Sequence, residues 1–273
     1  MKDELGNRIK SNYEDRTRYF LPRRAYSMLR LDGKAFHQFC KNLIKPFDDG
    51  LVNDMDETAK YLCKNIMGAK FAYVQSDEIS ILITDFEEIS TQMWFDGNIQ
   101  KISSVAASMA TSIFNKLRWI RYVCDRYNNS ITPINWSWFM DAANIKLAEF
   151  DARVFTILSK TEVENTIIWR QKDCVRNSIS SVAQSLYSHK QLEGKNSSQL
   201  QEMIFQKGIN WNDYAPKYKR GRMIIKETYE IEVKNKDINP KNNSCTRSRW
   251  TVIEPPIFTQ ERSFLSEKIP DNL

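Results

Sequence analysis

Two short stretches place carboxylates where an apolar run ends. In Arg30-Leu31-Asp32-Gly33-Lys34 an acid follows a strand-like run and precedes a glycine, whose missing Cβ lets a backbone turn tightly. In Gln75-Ser76-Asp77-Glu78 two acids sit between the β-like runs Phe71–Gln75 and Ile79–Ile83, at what reads as a hairpin tip. If the first strand lies beside that hairpin, Asp32 and Asp77 stand close together. Carboxylates at close range repel unless a cation lies between them. Oxygen ligands of this kind suit Mg²⁺, which takes one or two carboxylates and completes its octahedron with water and substrate phosphates. Two such ions would activate an attacking oxygen and stabilise a leaving one. Asp-Gly and Ser-Asp are also ordinary turn dipeptides, so a purely structural reading stands beside the chemical one.

A metal-held phosphate matters because the usual backbone cradles are excluded. The chain has 273 residues and only eight glycines, no two closer than thirteen positions. A Walker loop needs two glycines five apart, and a dinucleotide fingerprint needs three within six residues. The five cysteines lie at least 23 residues apart and there are two histidines, which argues against a disulfide framework or a zinc site and for reduced thiols in a cytoplasmic protein. The longest uncharged runs, Ile102–Asn115 and Tyr127–Met140, are fourteen residues, short of the roughly twenty a membrane span needs. The N-terminus is polar and mixed in charge, unlike a signal peptide. Charge is uneven: residues 217–249 hold ten Lys/Arg against four acids, and residues 1–30 hold eight against four. Such stripes read either as solvated surface or as a footprint for a phosphate backbone.

The elements that must position the acids follow from periodicity. Ala25–Leu31 reads as a strand and Lys34–Leu43 as helical. Val52, Met55, Ala59, Leu62 and Ile66 step at a helix period, and so do Ile102, Val105, Met109 and Ile113. An irregular Asn/Pro/Trp-rich stretch, 127–144, precedes a strand-like Phe150–Leu158. The order β-α-β-β-α-β is the split βαβ pattern of the α/β (α+β) class, an antiparallel sheet with helices on one face. A long helix over 161–193, capped at Thr161-Glu162-Val163-Glu164, and two strands, Met223–Val233 and Arg249–Ile253, joined by the polar segment 234–248, would form a C-terminal extension. This gives one part over 1–160, holding the split βαβ unit, and a C-terminal region over 161–273.

At the carboxylates the sequence becomes recognisable. Arg30-Leu31-Asp32-Gly33-Lys34-Ala35-Phe36-His37-Gln38-Phe39 resembles the R-[IL]-D-G-[RK]-x-F-H-x-F signature of the tRNAHis guanylyltransferase family, and Tyr73-Val74-Gln75-Ser76-Asp77-Glu78-Ile79-Ser80 resembles its Y-x-Q-S-D-E-[IY]-S segment. The likeness continues through Phe150-Asp151-Ala152-Arg153-Val154, Trp169-Arg170-Gln171-Lys172-Asp173-Cys174, Gly208-Ile209-Asn210-Trp211-Asn212 and Lys219-Arg220-Gly221, and fades after about Arg249. The resemblance implies a palm fold over 1–160, which agrees with the β-α-β-β-α-β order, and nucleotide addition to the 5′ end of tRNA, in the 3′→5′ direction. A 5′-monophosphate is activated by ATP or GTP, and the 3′-hydroxyl of an incoming GTP then attacks it, with two Mg²⁺ ions. It implies Asp32, Asp77 and the Gly33 carbonyl as metal ligands. Asp32, Gly33, Lys34, Ala35, Phe36 and His37, with Ser76 and Asp77, would line the nucleotide pocket. Glu78 would be an accessory carboxylate, and Lys45 would stand near the activated phosphate. Lys101 would meet a triphosphate; Lys219 and Arg220, with Arg176, Asn177, Arg247 and Arg249, would meet RNA. A homotetramer is implied as well, with tRNA, gripped at its acceptor stem and 5′ end, and nucleoside triphosphates as partners.

One departure is informative. Strictly tRNAHis-specific members carry His-Ile-Asn-Asn where this chain reads Val175-Arg176-Asn177-Ser178. That is similar to the bacterial and archaeal like-protein branch, whose members repair 5′-truncated tRNA by templated addition. Strict addition of G₋₁ to tRNAHis is the alternative. A cyclase-like palm or a non-catalytic tRNA-binding protein would share the two aspartates but not need the remaining motifs.

Overall fold

The computed structural model describes residues 3–128, 146–232 and 244–272. Most of the stretch 127–144, and most of the segment joining the last two strands, lie outside them. The chain builds β1 (Tyr26–Gly33), α1 (Asp49–Asn65), β2 (Ala69–Gln75), β3 (Glu78–Ile83), α2 (Ile99–Asn128), β4 (Phe150–Ile157), α3 (Lys160–Leu186), α4 (Ser197–Gln206), β5 (Arg222–Glu232), β6 (Ser244–Ile253) and a short α5 (Arg262–Ser266). The strands form one six-stranded sheet in the order β4-β1-β3-β2-β5-β6, antiparallel throughout.

Strand alternation sorts the side chains to two faces. Leu29 and Leu31 of β1, with Ile79, Ile81 and Ile83 of β3, pack with Met55, Ala59 and Leu62 of α1 and with Ile102, Ala106 and Phe114 of α2. Tyr26 and Met28, with Phe71, Tyr73 and Leu82, pack against Val163, Ile167 and Ile168 of α3 and against Phe258 and Leu265 beyond β6. The palm's own helices therefore share one face as the pattern predicts, and the C-terminal helix covers the other. Cover on both faces explains why β3 is buried at every position and reads as a continuous apolar run rather than a clean alternation. Each fully buried Leu or Ile contributes about 1.5–3 kcal/mol.

Three local readings change. The Lys34–Leu43 segment is one helical turn, Phe36–Phe39, followed by a 3₁₀ turn at Cys40–Asn42. The long helix is capped by Ser159, whose hydroxyl accepts from the Glu162 amide at 3.2 Å. Ser159 is extended and Thr161 already helical, so only the former can fill a cap position. That helix stops at Leu186, and a separate turn follows at His189–Leu192. Among the described residues no helix is long and apolar enough to cross a membrane.

The buried face of α1 carries two acids that periodicity alone would not place there. Asp54 takes Arg118 at 3.1 Å and Arg121 at 2.7 Å, tying α1 to α2. Asp56 takes Arg222 Nε at 2.8 Å, tying α1 to the first residue of β5. The Asp56 and Arg222 side chains are 10% and 4% exposed. Burial pushes the Asp56 carboxyl up and Arg222 opposes it, so the acid depends on its partner. Asp56→Ala strands a buried guanidinium and should lower the unfolding free energy by about 3–5 kcal/mol. Asp151→Ala, which breaks an exposed pair with Arg153, should cost under about 1 kcal/mol. Denaturant titration of both variants checks the contrast.

Candidate active site

The site forms where β1 ends beside the β2–β3 hairpin. Leu31 pairs with Ile79 of β3, and Asp32 stands opposite Asp151 of β4. Alternation puts Asp32 on the face of Met28 and Arg30, toward α3. Burial raises the Asp32 carboxyl, and Asp151 raises it further against Arg153, Arg30 and Arg170.

Gly33 is needed for closeness rather than for an unusual φ. A Cβ there would meet the Phe36 ring at 2.1 Å. The left-handed residue of the turn is Ala35, at φ 51°. Phe36 itself is buried, its ring 4.9 Å from Phe39, 5.6 Å from Phe114 and 5.3 Å from Phe150. Phe36, which the resemblance includes in the pocket segment 32–37 but which as an aromatic beside Phe39 reads first as core, is a core pin that fixes the Asp-Gly turn, its side chain in the cluster under the sheet. Lys34 clamps the same turn: its amide meets the Glu149 carbonyl at 2.8 Å and its ammonium the Glu149 carboxylate at 2.6 Å. His37 is exposed on the one-turn helix.

At the hairpin turn Ser76 is left-handed, at φ 46°, and exposed. Asp77 is pushed up to about 6 by burial, with Asp32 and Glu78 adding to the rise while its own amide and Ser76 oppose it. Glu78 does not share this repulsive pocket as a free acid. Arg170 of α3 grips it through Nε and Nη2 at 2.7 Å each, and Ser80 and Gln75 also donate to it. Arg170 reaches on to Asp173 at 2.7 Å, which takes Arg176 at 2.6 Å and Asn177 at 3.5 Å. Among the described residues Asp32, which adjoins Gly33, and Asp77 therefore remain as two carboxylates without a salt bridge. Among the described residues no cluster of three or more His, Cys, Asp or Glu is arranged for a metal. Two acids and a carbonyl fit a hard ion such as Mg²⁺, which fills its other positions with water and phosphate oxygens.

A cleft with about 790 Å³ of empty space opens beside the hairpin, between Gln75 and Ser76, the 40–52 segment, the Cys174–Ser181 part of α3, and Lys217, Tyr218 and Arg222. Lys45 is on its wall and donates to the Cys40 carbonyl at 3.1 Å. The Phe47 ring stacks on Tyr218, 4.5 Å apart and 5° from parallel. Asp48 caps α1 through the Leu51 amide at 2.7 Å. Two buried polar atoms of the lining, Gln75 Oε1 and Arg222 Nη2, have no hydrogen-bond partner.

Several expected residues lie elsewhere. Lys219 is buried, donating to the Asn212 carbonyl with its ammonium over the Trp211 ring; its neighbours Lys217 and Tyr218 face the cleft instead. The KYKR run marked the place in the sequence, but which lysine turns outward depends on a one-turn helix, Pro216–Lys219. Arg220 presents its carbonyl to the Tyr73 hydroxyl at 2.7 Å. Lys101 sits near the start of α2; thirteen residues of helix, about 20 Å, separate it from Phe114, which underlies the site. Arg247 and Arg249 lie far out on the β5–β6 ribbon. Arg247 pairs with Tyr229, seven residues or about 23 Å along β5 from Arg222. Phe47 and Tyr218 were not singled out in the sequence because single aromatics carry no pattern of their own.

Comparison with known proteins places the chain in a family and agrees with the fold. Residues 6–158 match the tRNAHis guanylyltransferase family. A bacterial tRNA(His) guanylyltransferase-like protein solved in complex with ATP superposes with a TM-score of 0.79 at 40% identity, over 98% of this chain and 99% of that one. Such a protein in complex with GTP gives 0.75 at 39% identity, over 97% and 99%. The tRNA(His) guanylyltransferase of Schizosaccharomyces pombe is 26% identical over 225 residues, 78% of this chain and 77% of its own. The chain belongs to the tRNAHis guanylyltransferase family and is a guanylyltransferase-like nucleotidyltransferase.

Proposed function

We propose that the protein adds nucleotides to the 5′ end of tRNA in the 3′→5′ direction, acting by preference on 5′-truncated tRNA whose opposite strand templates the choice. The observation that carries this reading is the mutually repelling Asp32–Asp77 pair, next to Ser76 on the wall of a cleft that Lys45 and the Phe47–Tyr218 stack also line. In the first step a 5′-phosphate oxygen attacks the α-phosphorus of ATP or GTP; pyrophosphate leaves and the nucleoside monophosphate stays joined to the RNA. In the second the 3′-hydroxyl of an incoming nucleotide attacks that 5′ phosphate, and the monophosphate departs. Asp32, Asp77 and the Gly33 carbonyl would hold two Mg²⁺ ions. Bound there, Mg²⁺ supplies positive charge that lowers the pKa of the attacking hydroxyl and neutralises the leaving group. Lys45 offers a cation to phosphate oxygens at the cleft wall. Asn177 borders the cleft, and Arg176, 60% exposed, extends the same helix face toward RNA. Arg220 and the Arg247–Arg249 ribbon add distant phosphate contacts, and 161–273 is the region that meets the body of the tRNA.

The repair reading is favoured over strict G₋₁ addition by Val175-Arg176-Asn177-Ser178 and by the higher identity to the bacterial guanylyltransferase-like proteins. We further propose a tetramer, in which one protomer receives the acceptor end and another holds the remaining tRNA. Light scattering should give about four times 32.1 kDa; a monomer would overturn it.

Wild-type protein should extend a tRNA lacking its first 5′ nucleotide faster than full-length tRNAHis. Asp32→Ala should lower either rate by at least about 10³-fold while RNA binding stays within a few fold. Preference for untemplated G on tRNAHis would favour the alternative, and full activity in Asp32→Ala would remove the enzymatic assignment of the pair.

Asp77 also sets a pH dependence. Its folded value, about 6, is above the ordinary 3.8, so folding takes up a proton between those limits. The stability this gives is fully present below about pH 3.8 and lost as pH rises through about 6. Without divalent ions, Asp77→Asn should therefore be more stable than wild type at pH 7.5, and the difference should shrink toward pH 5. Millimolar Mg²⁺ should raise the Tm of wild type at pH 7.5 and leave Asp77→Asn nearly unchanged. Thermal scans over pH check both.

A further inference from the structure

Trp169 precedes the residue that grips Glu78, yet it is 47% exposed, while Ile167 and Ile168 before it are buried. The Arg170 guanidinium lies 4.3 Å from the indole centre and that of Arg30 lies 5.7 Å away. Arg30 is on the same face of β1 as Asp32, two residues earlier, and stands in register opposite Arg153 of β4. Among the described residues Arg30 has no ion pair or side-chain hydrogen bond, and Arg153 has only the exposed Asp151. Arg30 and Arg153, both electrostatic neighbours of the Asp32 carboxyl, thus have spare donors, and the half-exposed indole lies against Arg30. Further along α3, Cys174 and Asn177 line the nucleotide cleft. Eight residues of helix, about 12 Å, carry the cleft wall at one end and the indole at the other.

Two facts limit what fits this surface. Guanidiniums select phosphate oxygens, with bidentate geometry. The exposed half of the indole, whose ring already carries the Arg170 guanidinium, can take a nucleobase, and such stacking is sequence-tolerant because every base has a π face. Unpaired RNA ends are recognised in this way, by stacking splayed bases on aromatic rings and Arg planes. The juxtaposition with Asp32 places such an end beside the reacting 5′ phosphate.

We propose that Trp169, with Arg30 and Arg153, is a stacking platform for an unpaired nucleotide of the strand opposite the 5′ end. The indole holds the base and the guanidiniums hold its flanking phosphates. The inference rests on the RNA-end reading above and deepens it. An enzyme that lets a template choose the nucleotide must hold the template strand without reading it, and a sequence-tolerant stack does so.

The test uses the full chain and two RNA hairpins of the same acceptor-stem duplex, both lacking the first 5′ nucleotide. One carries an unpaired 3′ overhang and the other is trimmed to a blunt end. Trp169→Ala should weaken the overhang hairpin about tenfold and the blunt one less than twofold, and Trp169→Phe should restore most of the difference. Arg30→Ala should weaken both and lower the salt dependence of binding by about one ion. Comparing two RNAs on one variant cancels any general loss of folded protein. Equal affinities for the two hairpins in wild type, or an equal loss on both in Trp169→Ala, overturns the platform and leaves the RNA-end function standing. Failure of wild type to bind either hairpin overturns both.

Discussion

The Arg170–Glu78 ion pair is the contact on which the site's arrangement depends. It joins the first residue of β3 to α3 by two 2.7 Å hydrogen bonds, with both side chains buried. Removing one partner would strand a buried charge, at about 3–5 kcal/mol. The pair also decides which acids are left without an arginine partner among the described residues. Three carboxylates crowd the end of the sheet, and Arg170 neutralises one, so the unrelieved repulsion falls on Asp32 and Asp77. Because Arg170 belongs to the C-terminal helix, the same contact brings Asn177 and Ser178 to the cleft and Trp169 to the edge of β1. The palm strands and the C-terminal region are further joined by β2–β5 pairing and by Asp56–Arg222.

A second constraint is backbone geometry in a chain poor in glycine. Both turns that present the reactive acids use a left-handed residue with a side chain, Ala35 in one and Ser76 in the other. Each costs on the order of 1–3 kcal/mol and persists only if the surroundings impose it. The surroundings do so here. The Phe36 ring is locked among three other phenylalanines, and Lys34 is tied to Glu149 by backbone and side chain. The strands on either side of Ser76 are buried up to Gln75 and from Glu78 onward. Gly33 serves the packing of Phe36, not the sign of φ.

The division between what the sequence revealed and what it hid follows the range of the interactions. Element order, the palm pattern and the placing of Asp32 beside the hairpin follow from short-range periodicity and from topology, and they are legible. What a side chain does once placed depends on long-range partners, and that is not. Glu78 reads as a third acid until Arg170, 92 residues on, is seen to hold it. Phe36 has the same motif position whether it faces a nucleotide or the core. Lys219 looks like a phosphate ligand, but one turn of helix sends it inward and gives the cleft to Lys217 and Tyr218. Lys101 is basic and near the motifs in sequence, yet lies at the far end of a long helix. The buried acids of α1 are hidden for the same reason, since Asp54 and Asp56 are matched only by arginines from α2 and β5.

The function proposed above asks this site to recognise phosphate by charge and bases by stacking. Few polar groups in it are free to read one base. Most of the polar side chains that surround it are already used: Glu78 and Asp173 by Arg170, Asp49 by Lys217 and Tyr218, Asp48 by the cap of α1. Two lining atoms stand apart, the unpartnered Gln75 Oε1 and Arg222 Nη2. A buried donor or acceptor without a partner costs about 1–3 kcal/mol, and both atoms are shut off from the cleft surface, so neither is on offer to a base. Under the templated addition proposed above, selectivity among bases would then come from a Watson–Crick partner rather than from side chains of the protein.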